Sequence, residues 1–92
     1  VAAARYGRSS GVITKVGDDA FGPYVRQALQ EFGVDASRVG THPTLRTPVV
    51  FCEIFPPDDF PLLFYREPTA PDMTIARDEL DLEEIARVPL FW

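Results

Sequence analysis

The chain has 92 residues, enough for at most one small domain with a modest hydrophobic core. Its formal net charge of −5 and its nine scattered Lys and Arg residues argue against a protein that binds the phosphate backbone of nucleic acids. The apolar fraction of 46% indicates a globular protein, and no apolar stretch approaches the roughly 18 residues of a membrane span. We therefore expect neither a nucleic-acid partner nor a membrane partner.

The first half of the chain predicts helix, strand and helix in that order. Its first residues, VAAARYG, are typical of the last turns of a helix that ends at Gly7. Residues 11–16 are short, apolar and rich in β-branched side chains, which predicts a strand. A second helix is predicted next, because apolar residues recur on one helical face, and Gly33 is expected to end it. The residues of this face are Phe21, Tyr24, Val25, Ala28, Leu29 and Phe32. This order favours an α/β fold, followed by a connector with at most one small strand.

The second half predicts a hairpin and then a short helix. Two apolar runs, TPVVFCEIF and LLFYR, are joined by the turn sequence PPDDFP. Both hairpin faces are apolar, so each must be covered by the rest of the protein, a bound substrate or a second subunit. Asp81 is predicted to cap a helix in DLEEIARV, and a final buried strand is expected to begin at Leu90. Because this strand would end unpaired on Phe-Trp, we expect the chain to be part of a longer protein.

Cysteine usage and the absence of a recognisable signal peptide predict a cytoplasmic location. Cys52 is the only cysteine, so no intrachain disulfide can form. Its apolar neighbours favour a small buried hydrophobe over a reactive thiol. His42 has no Cys or His at metal-ligand spacing, so we predict a solvated loop histidine and no metal site.

Two adjacent carboxylates, Asp18 and Asp19, precede the second helix in the sequence KVGDDAFG. Paired carboxylates can hold Mg²⁺ or transfer protons, but adjacent side chains diverge in direction. An Asp at the start of a helix accepts hydrogen bonds from the unpaired N–H groups of the first turn. We therefore predict that Asp18 or Asp19 caps the helix, and that the flanking glycines allow the sharp turn from strand to helix.

Arg66, at the end of the run LLFYR, is the main candidate for a binding residue. Its forked donors suit a carboxylate or a pair of hydroxyls. The alternative is a surface arginine paired with Glu53 or Glu67. The residues alone leave both interpretations open, and they assign no catalytic residue.

Three motifs and their order carry a family resemblance. Gly7 and Gly17 are separated by nine residues, and VGDDAFG precedes a helix and the sequence EFGVDASRV. Next come the two apolar runs of the predicted hairpin, in TPVVFCEIF and LLFYREPTA. This order resembles the ribokinase/PfkB family of carbohydrate kinases. The resemblance implies a fragment of a ribokinase-like three-layer α/β/α core with a small β-sheet lid: residues 1–40 and 71–92 in the core, and residues 41–70 in the lid hairpin region.

Within the family, the lid sequence is most similar to kinases of 5-dehydro-2-deoxygluconate, which act in myo-inositol breakdown. It is also similar to 2-keto-3-deoxygluconate kinases. By this resemblance Arg66 would bind the carboxylate or hydroxyls of a sugar acid, Phe64 would pack against its carbon chain, and Val50 would line the same site. Fructose or ribose remain alternative substrates within the family.

The resemblance also bears on cofactors and partners. It implies ATP and Mg²⁺ for the full-length protein, whose catalytic base and ATP site would lie outside this chain. The chain alone would then bind neither cofactor and would be inactive. Family lids also form dimers, which implies a homodimer through the lid. The alternative from another class is a non-catalytic interaction module that uses the apolar hairpin.

Overall fold

The computed structural model describes all 92 residues, which form a parallel α/β unit and a two-stranded hairpin. The elements in chain order are α1 (Ala2–Arg5), β1 (Thr14–Gly17), α2 (Phe21–Glu31), β2 (Val39–His42), β3 (Val49–Cys52), β4 (Leu62–Tyr65), two 3-10 turns (Pro71–Thr74 and Arg77–Glu79) and α3 (Leu82–Arg87). None of the helices has the length and apolarity that crossing a membrane requires.

Strands β1 and β2 lie side by side in parallel, from the pair Thr14 and Val39 to the pair Gly17 and His42. Helix α2 connects them, so this unit is the expected α/β arrangement. The first strand begins later than predicted, at Thr14, although Gly11 forms an isolated parallel bridge. His42 is not a solvated loop residue: it ends β2, is partly buried, and its Nδ1 accepts hydrogen bonds from two following backbone N–H groups.

The hydrophobic core is small and lies between the parallel strands and α2. Its fully buried members are Val16, Ala36 and Val39, with three partly buried side chains packed against them: Val12, Val25 and Leu29. Only part of the predicted apolar face of α2 reaches this core. Phe21 and Tyr24 remain 53% and 68% exposed. The central residues of the helix therefore make its apolar contact with the core, whereas in its first turn only Gly22 is buried.

Both predicted glycine helix ends are confirmed. Gly7 and Gly33 have φ angles of +74° and +76°, the left-handed region that favours glycine. At the end of α2, the N–H of Gly33 donates to the carbonyl of Gln30 and the N–H of Val34 donates to the carbonyl of Leu29, both at 2.9 Å. These two bonds satisfy the last carbonyls of the helix.

The predicted hairpin is confirmed, with β3 and β4 antiparallel from the pair Val49 and Tyr65 to the pair Cys52 and Leu62. Its side chains are half exposed on both faces. The expectation that Cys52 is buried is wrong, because the hairpin projects from the core and the thiol is exposed. The hairpin is called the lid below.

Of the two elements predicted near the end of the chain, the helix forms and the strand does not. Helix α3 forms as predicted, and Asp81 caps it by accepting a 2.9 Å hydrogen bond from the N–H of Glu84. The strand expected at Leu90 is wrong. Residues 88–92 form no strand, and Leu90 is 85% exposed because no neighbouring strand of this chain lies beside it.

Candidate functional site

A cavity of about 870 Å³ lies between the lid and the turn that follows β1. It is lined by residues 19–21 of that turn, residues 44–47, Val49 and Phe51 of β3, and residues 64–69 at the end of the hairpin. We call it the core–lid cavity. Its volume falls in the range typical of pockets for small ligands.

Asp19 stands at the core side of this cavity and is fully engaged in hydrogen bonds. Its Oδ1 accepts from the N–H groups of Phe21 and Gly22 at 3.0 and 3.1 Å, which confirms the helix cap. Its Oδ2 accepts from the N–H of Thr47 at 2.7 Å, and Oδ1 also accepts from the Thr47 hydroxyl at 2.9 Å. The backbone N–H of Thr47 is the main cause that holds the pKa of Asp19 below its ordinary value. The neighbouring Asp18 is exposed and does not share this role.

The glycines of KVGDDAFG are needed because backbone segments approach closely at this turn. A Cβ on Gly17 would lie 2.6 Å from both the carbonyl oxygen of Leu45 and the backbone nitrogen of Thr47. The N–H of Gly17 donates to the Thr47 hydroxyl at 2.9 Å. A Cβ on Gly22 would collide with the Gly17 carbonyl. The motif is therefore a structural junction between the strand, the helix and the segment that leads into the lid.

Arg66 lines the core–lid cavity, at the end of β4. Its Nη2 lies 2.6 Å from Oδ2 of Asp72, in the 3-10 turn after the lid. The alternative interpretation, an arginine paired with a nearby acid, is correct in kind but wrong in the partner, which is Asp72 and neither Glu53 nor Glu67. The arginine keeps further N–H groups beyond the one used by Asp72.

The lid register places Val50 directly opposite Phe64, so these two predicted site residues share one face of the hairpin. The other face carries Phe51 and Tyr65, whose rings meet edge to face at 5.7 Å. Phe64 and Arg66 border the core–lid cavity, whereas Val50 does not line it. The structure thus brings Phe64 and Arg66 to the cavity and leaves Val50, which shares the face of Phe64, outside it. The cavity also takes Val49, Phe51 and Tyr65 from the other face of the hairpin.

Two cavity residues escaped the sequence-based reasoning. Thr47 is one of the few buried polar residues, at 9% exposure, and Arg46 lines the cavity without an ion-pair or hydrogen-bond partner for its side chain. The only feature of the sequence that could have marked them as site residues is their position directly before an apolar strand. That signal is weak, because polar residues precede most strands. No group of three or more His, Cys, Asp or Glu side chains is arranged to hold a metal ion.

Comparison with known proteins assigns this arrangement to a family. Residues 1–88 match the sequence model described as pfkB family carbohydrate kinase. The chain belongs to the pfkB family of carbohydrate kinases. A PfkB protein from Polaromonas sp. JS666 has a TM-score of 0.80 and 26% identity, over 89% of this chain and 27% of that one. The predicted ribokinase-like fold is therefore confirmed.

Two further relatives show the same family likeness. The chain is 34% identical to Fructokinase-1 from Zea mays over 91 residues, which is 99% of this chain and 28% of that protein. A putative ribokinase II from E. coli, solved in complex with ATP and Mg²⁺, shares the fold with a TM-score of 0.74 and 24% identity, over 89% of this chain and 25% of that one. This chain thus spans about a quarter of the length of these pfkB relatives. The kinase family is confirmed, whereas the finer resemblance to 5-dehydro-2-deoxygluconate kinases finds no support among these relatives.

Proposed function

We propose that the protein containing this chain transfers the γ-phosphoryl group of ATP to a hydroxyl of a sugar or sugar acid. Membership of the pfkB family over residues 1–88 supports this proposal. Phosphoryl transfer depends on positioning and on charge stabilisation around the phosphates. The family resemblance implies that the catalytic base and the ATP site lie outside this chain, so we assign these 92 residues no part in handling the nucleotide. We expect these 92 residues alone to phosphorylate no sugar.

In this proposal the chain supplies the lid side of the sugar site. The supporting observation is the placement of Arg66, which lines the core–lid cavity while its Nη2 donates to Oδ2 of Asp72 at 2.6 Å. A guanidinium fixed on one side can present its remaining N–H groups to a carboxylate or to neighbouring hydroxyls. Phe64 borders the same cavity and would pack against the carbon chain, with Val50 beside it.

The lid sequence resembles that of kinases of 5-dehydro-2-deoxygluconate, and we propose this sugar acid as the substrate, with its carboxylate bound by the N–H groups of Arg66 that Asp72 leaves free. A charge-assisted hydrogen bond between arginine and carboxylate is stronger than one to a neutral hydroxyl. Fructose is the second candidate, because the curated relatives at 32–35% identity are fructokinases. A neutral ketose would use Arg66 through its hydroxyls alone.

A substrate panel on the full-length protein tests both candidates. ATP-dependent phosphorylation is measured with 5-dehydro-2-deoxygluconate, 2-keto-3-deoxygluconate, fructose and ribose, and kcat/KM is compared. We expect the highest value for 5-dehydro-2-deoxygluconate. A preference for fructose would replace the first candidate with the second. The absence of phosphorylation of any sugar or sugar acid would contradict the kinase proposal.

We also propose that the lid joins two copies of the protein. The lid exposes apolar side chains on both faces, including Phe51 and Leu63 on one face and Leu62 and Phe64 on the other, each 54–58% exposed. A substrate in the core–lid cavity would reach only Phe51 and Phe64 of these four side chains, because Leu62 and Leu63 do not line the cavity. A second copy that pairs through its own lid would cover the remaining apolar surface, which monomeric proteins seldom leave in contact with water.

A further inference from the structure

Two polar contacts tie the lid to the core, one at each end of the hairpin. The contact at the end of the lid is the ion pair between Arg66 and Asp72. The contact at its beginning joins Asp19, in the turn between β1 and α2, to Thr47, two residues before β3. We call this second contact, together with Gly17, the core–lid clamp.

The clamp is saturated and partly buried. The Thr47 hydroxyl donates to Asp19 Oδ1 and accepts from the N–H of Gly17, while the backbone N–H of Thr47 donates to Asp19 Oδ2. The Asp19 carboxylate also accepts from two N–H groups of α2. A carboxylate with four donors around it, at distances of 2.7–3.1 Å, is held in one orientation and is poorly placed to take a proton from a substrate. Its geometry is that of a positioning group.

The clamp also controls where the lid begins. Only Pro48 separates Thr47 from the first residue of β3, and proline fixes its own φ angle. The direction of β3 therefore follows from the position of Thr47. No residue of β3 belongs to the buried core cluster, so the polar contacts of Thr47 fix the beginning of the lid. At its other end, the buried Ala70 and Pro71 and the ion pair of Arg66 fix the return to the core.

We propose that the Asp19–Thr47 pair is a positioning device that fixes the angle of the lid over the sugar site and so sets sugar affinity without touching the sugar. The proposal rests on the proposed sugar-kinase function. It separates the role of KVGDDAFG from catalysis: the aspartate that begins α2 also determines where Phe64 and Arg66 stand. Loss of the clamp should loosen the lid while the α/β unit stays folded.

The first test is amide hydrogen exchange on the full-length protein. Thr47→Val keeps the shape of the side chain but removes the hydroxyl, whereas Thr47→Ser keeps the hydroxyl and serves as the matched control. We expect Thr47→Val to speed exchange in β3 and β4 by at least about tenfold, because it removes both hydrogen bonds of the hydroxyl, the one to Asp19 and the one from the N–H of Gly17, with little change in α2. Equal acceleration in α2 and the lid would show a general loss of stability, and unchanged lid exchange would show no clamp. Either result overturns the proposal.

The second test is kinetic and uses the same variants. We expect Thr47→Val to raise the sugar KM several-fold, with the ATP KM unchanged and the wild-type values restored in Thr47→Ser. A fall in kcat alone, with both KM values unchanged, would overturn the effect on sugar affinity. If Thr47→Val does not fold, Asp19→Asn replaces it, because the amide keeps the shape and loses one acceptor.

The two tests separate the clamp from the function on which it rests. Hydrogen exchange requires no substrate, so it decides whether Asp19 and Thr47 hold the lid even if no sugar is phosphorylated. Lid-specific acceleration without any kinase activity would leave the clamp in place and contradict the proposed function. Kinase activity with unchanged hydrogen exchange in the lid of Thr47→Val would support the proposed function and contradict the clamp.

Discussion

Arg66 Nη2 and Asp72 Oδ2 lie 2.6 Å apart across the junction where the lid returns to the core. The two side chains are 44% and 30% exposed, so solvent screens the pair and its contribution to stability is small. Its main effect is geometric, because an arginine bound on one side by a carboxylate has fewer rotamers to lose when it binds a ligand. In the proposed function, the ion pair holds the Arg66 guanidinium in one orientation before a ligand binds.

Substitution of Arg66 tests this role. In the full-length protein, Arg66→Ala should weaken sugar-acid binding by roughly 1–3 kcal/mol, the contribution of a charged hydrogen bond, and raise KM by about 5- to 150-fold. Arg66→Lys keeps the charge but loses the fork, so it should fall between wild type and Arg66→Ala. Steady-state kinetics with the acid substrate check the order. Unchanged KM and kcat in Arg66→Ala would assign Arg66 to structure.

The junction at Gly17 makes a prediction about stability. Gly17→Ala would place a Cβ 2.6 Å from two backbone atoms that cannot move independently, so we expect a loss of about 1–3 kcal/mol in the free energy of unfolding. Gly11→Ala is the matched control, because its Cβ would meet Asp35 at 3.6 Å, an ordinary contact. Urea unfolding of the full-length protein compares the two. Equal stability of both variants would mean that the close approach at Gly17 is not present in solution.

The sequence predicted features that depend on neighbouring residues. The helix end at Gly33 and the cap by Asp19 are formed within one helical turn, so the residues that cause them are visible together. The hairpin was equally clear, because a turn cluster separates two apolar runs. Such features depend on local chemistry, which a single sequence contains in full.

Features that depend on distant contacts were not predicted. Asp19 and Thr47 meet across 28 residues of sequence, and nothing local to Thr47 indicates a buried hydroxyl. Strand β2 gains its hydrogen bonds from β1, so its own sequence gave only a weak signal. The expected burial of Cys52 and the strand at Leu90 failed for a related reason: apolar sequence predicts burial only where a partner surface is present. Substrate identity is harder still to predict, since it depends on a few side chains in a site rather than on a sequence pattern.

The clamp also predicts how stability varies with pH. Hydrogen bonds, above all that from the Thr47 N–H, hold the pKa of Asp19 below its ordinary value of 3.8. A lowered pKa in the folded state means that the unfolded chain binds the proton more tightly, so Asp19 stabilises the fold fully above its ordinary pKa and progressively less as the pH falls below it.

A double comparison isolates this effect from the other carboxylates. The difference in thermal midpoint between wild type and Asp19→Asn should be constant from about pH 6 to 8 and should shrink as the pH falls below about 4. Asp18→Asn, at the exposed neighbouring position, should leave the midpoint at neutral pH nearly unchanged. Calorimetry of the three full-length proteins across this range provides the measurement. A difference that persists undiminished at about pH 3 would contradict the assignment.

The proposed homodimer makes the final prediction. Leu63 lies opposite Phe51 on the lid, is 55% exposed and does not line the core–lid cavity. Leu63→Lys would remove apolar area and place an ammonium in the dimer interface, so the dimer dissociation constant should rise by at least about tenfold. Met73→Lys adds the same charge at a 69% exposed position outside the lid and should leave dimerisation unchanged. Sedimentation equilibrium of the full-length proteins gives the constants. A monomeric wild type, or equal dissociation constants for the two variants, would contradict the proposed homodimer. The rest of the protein or the substrate would then cover the apolar faces of the lid.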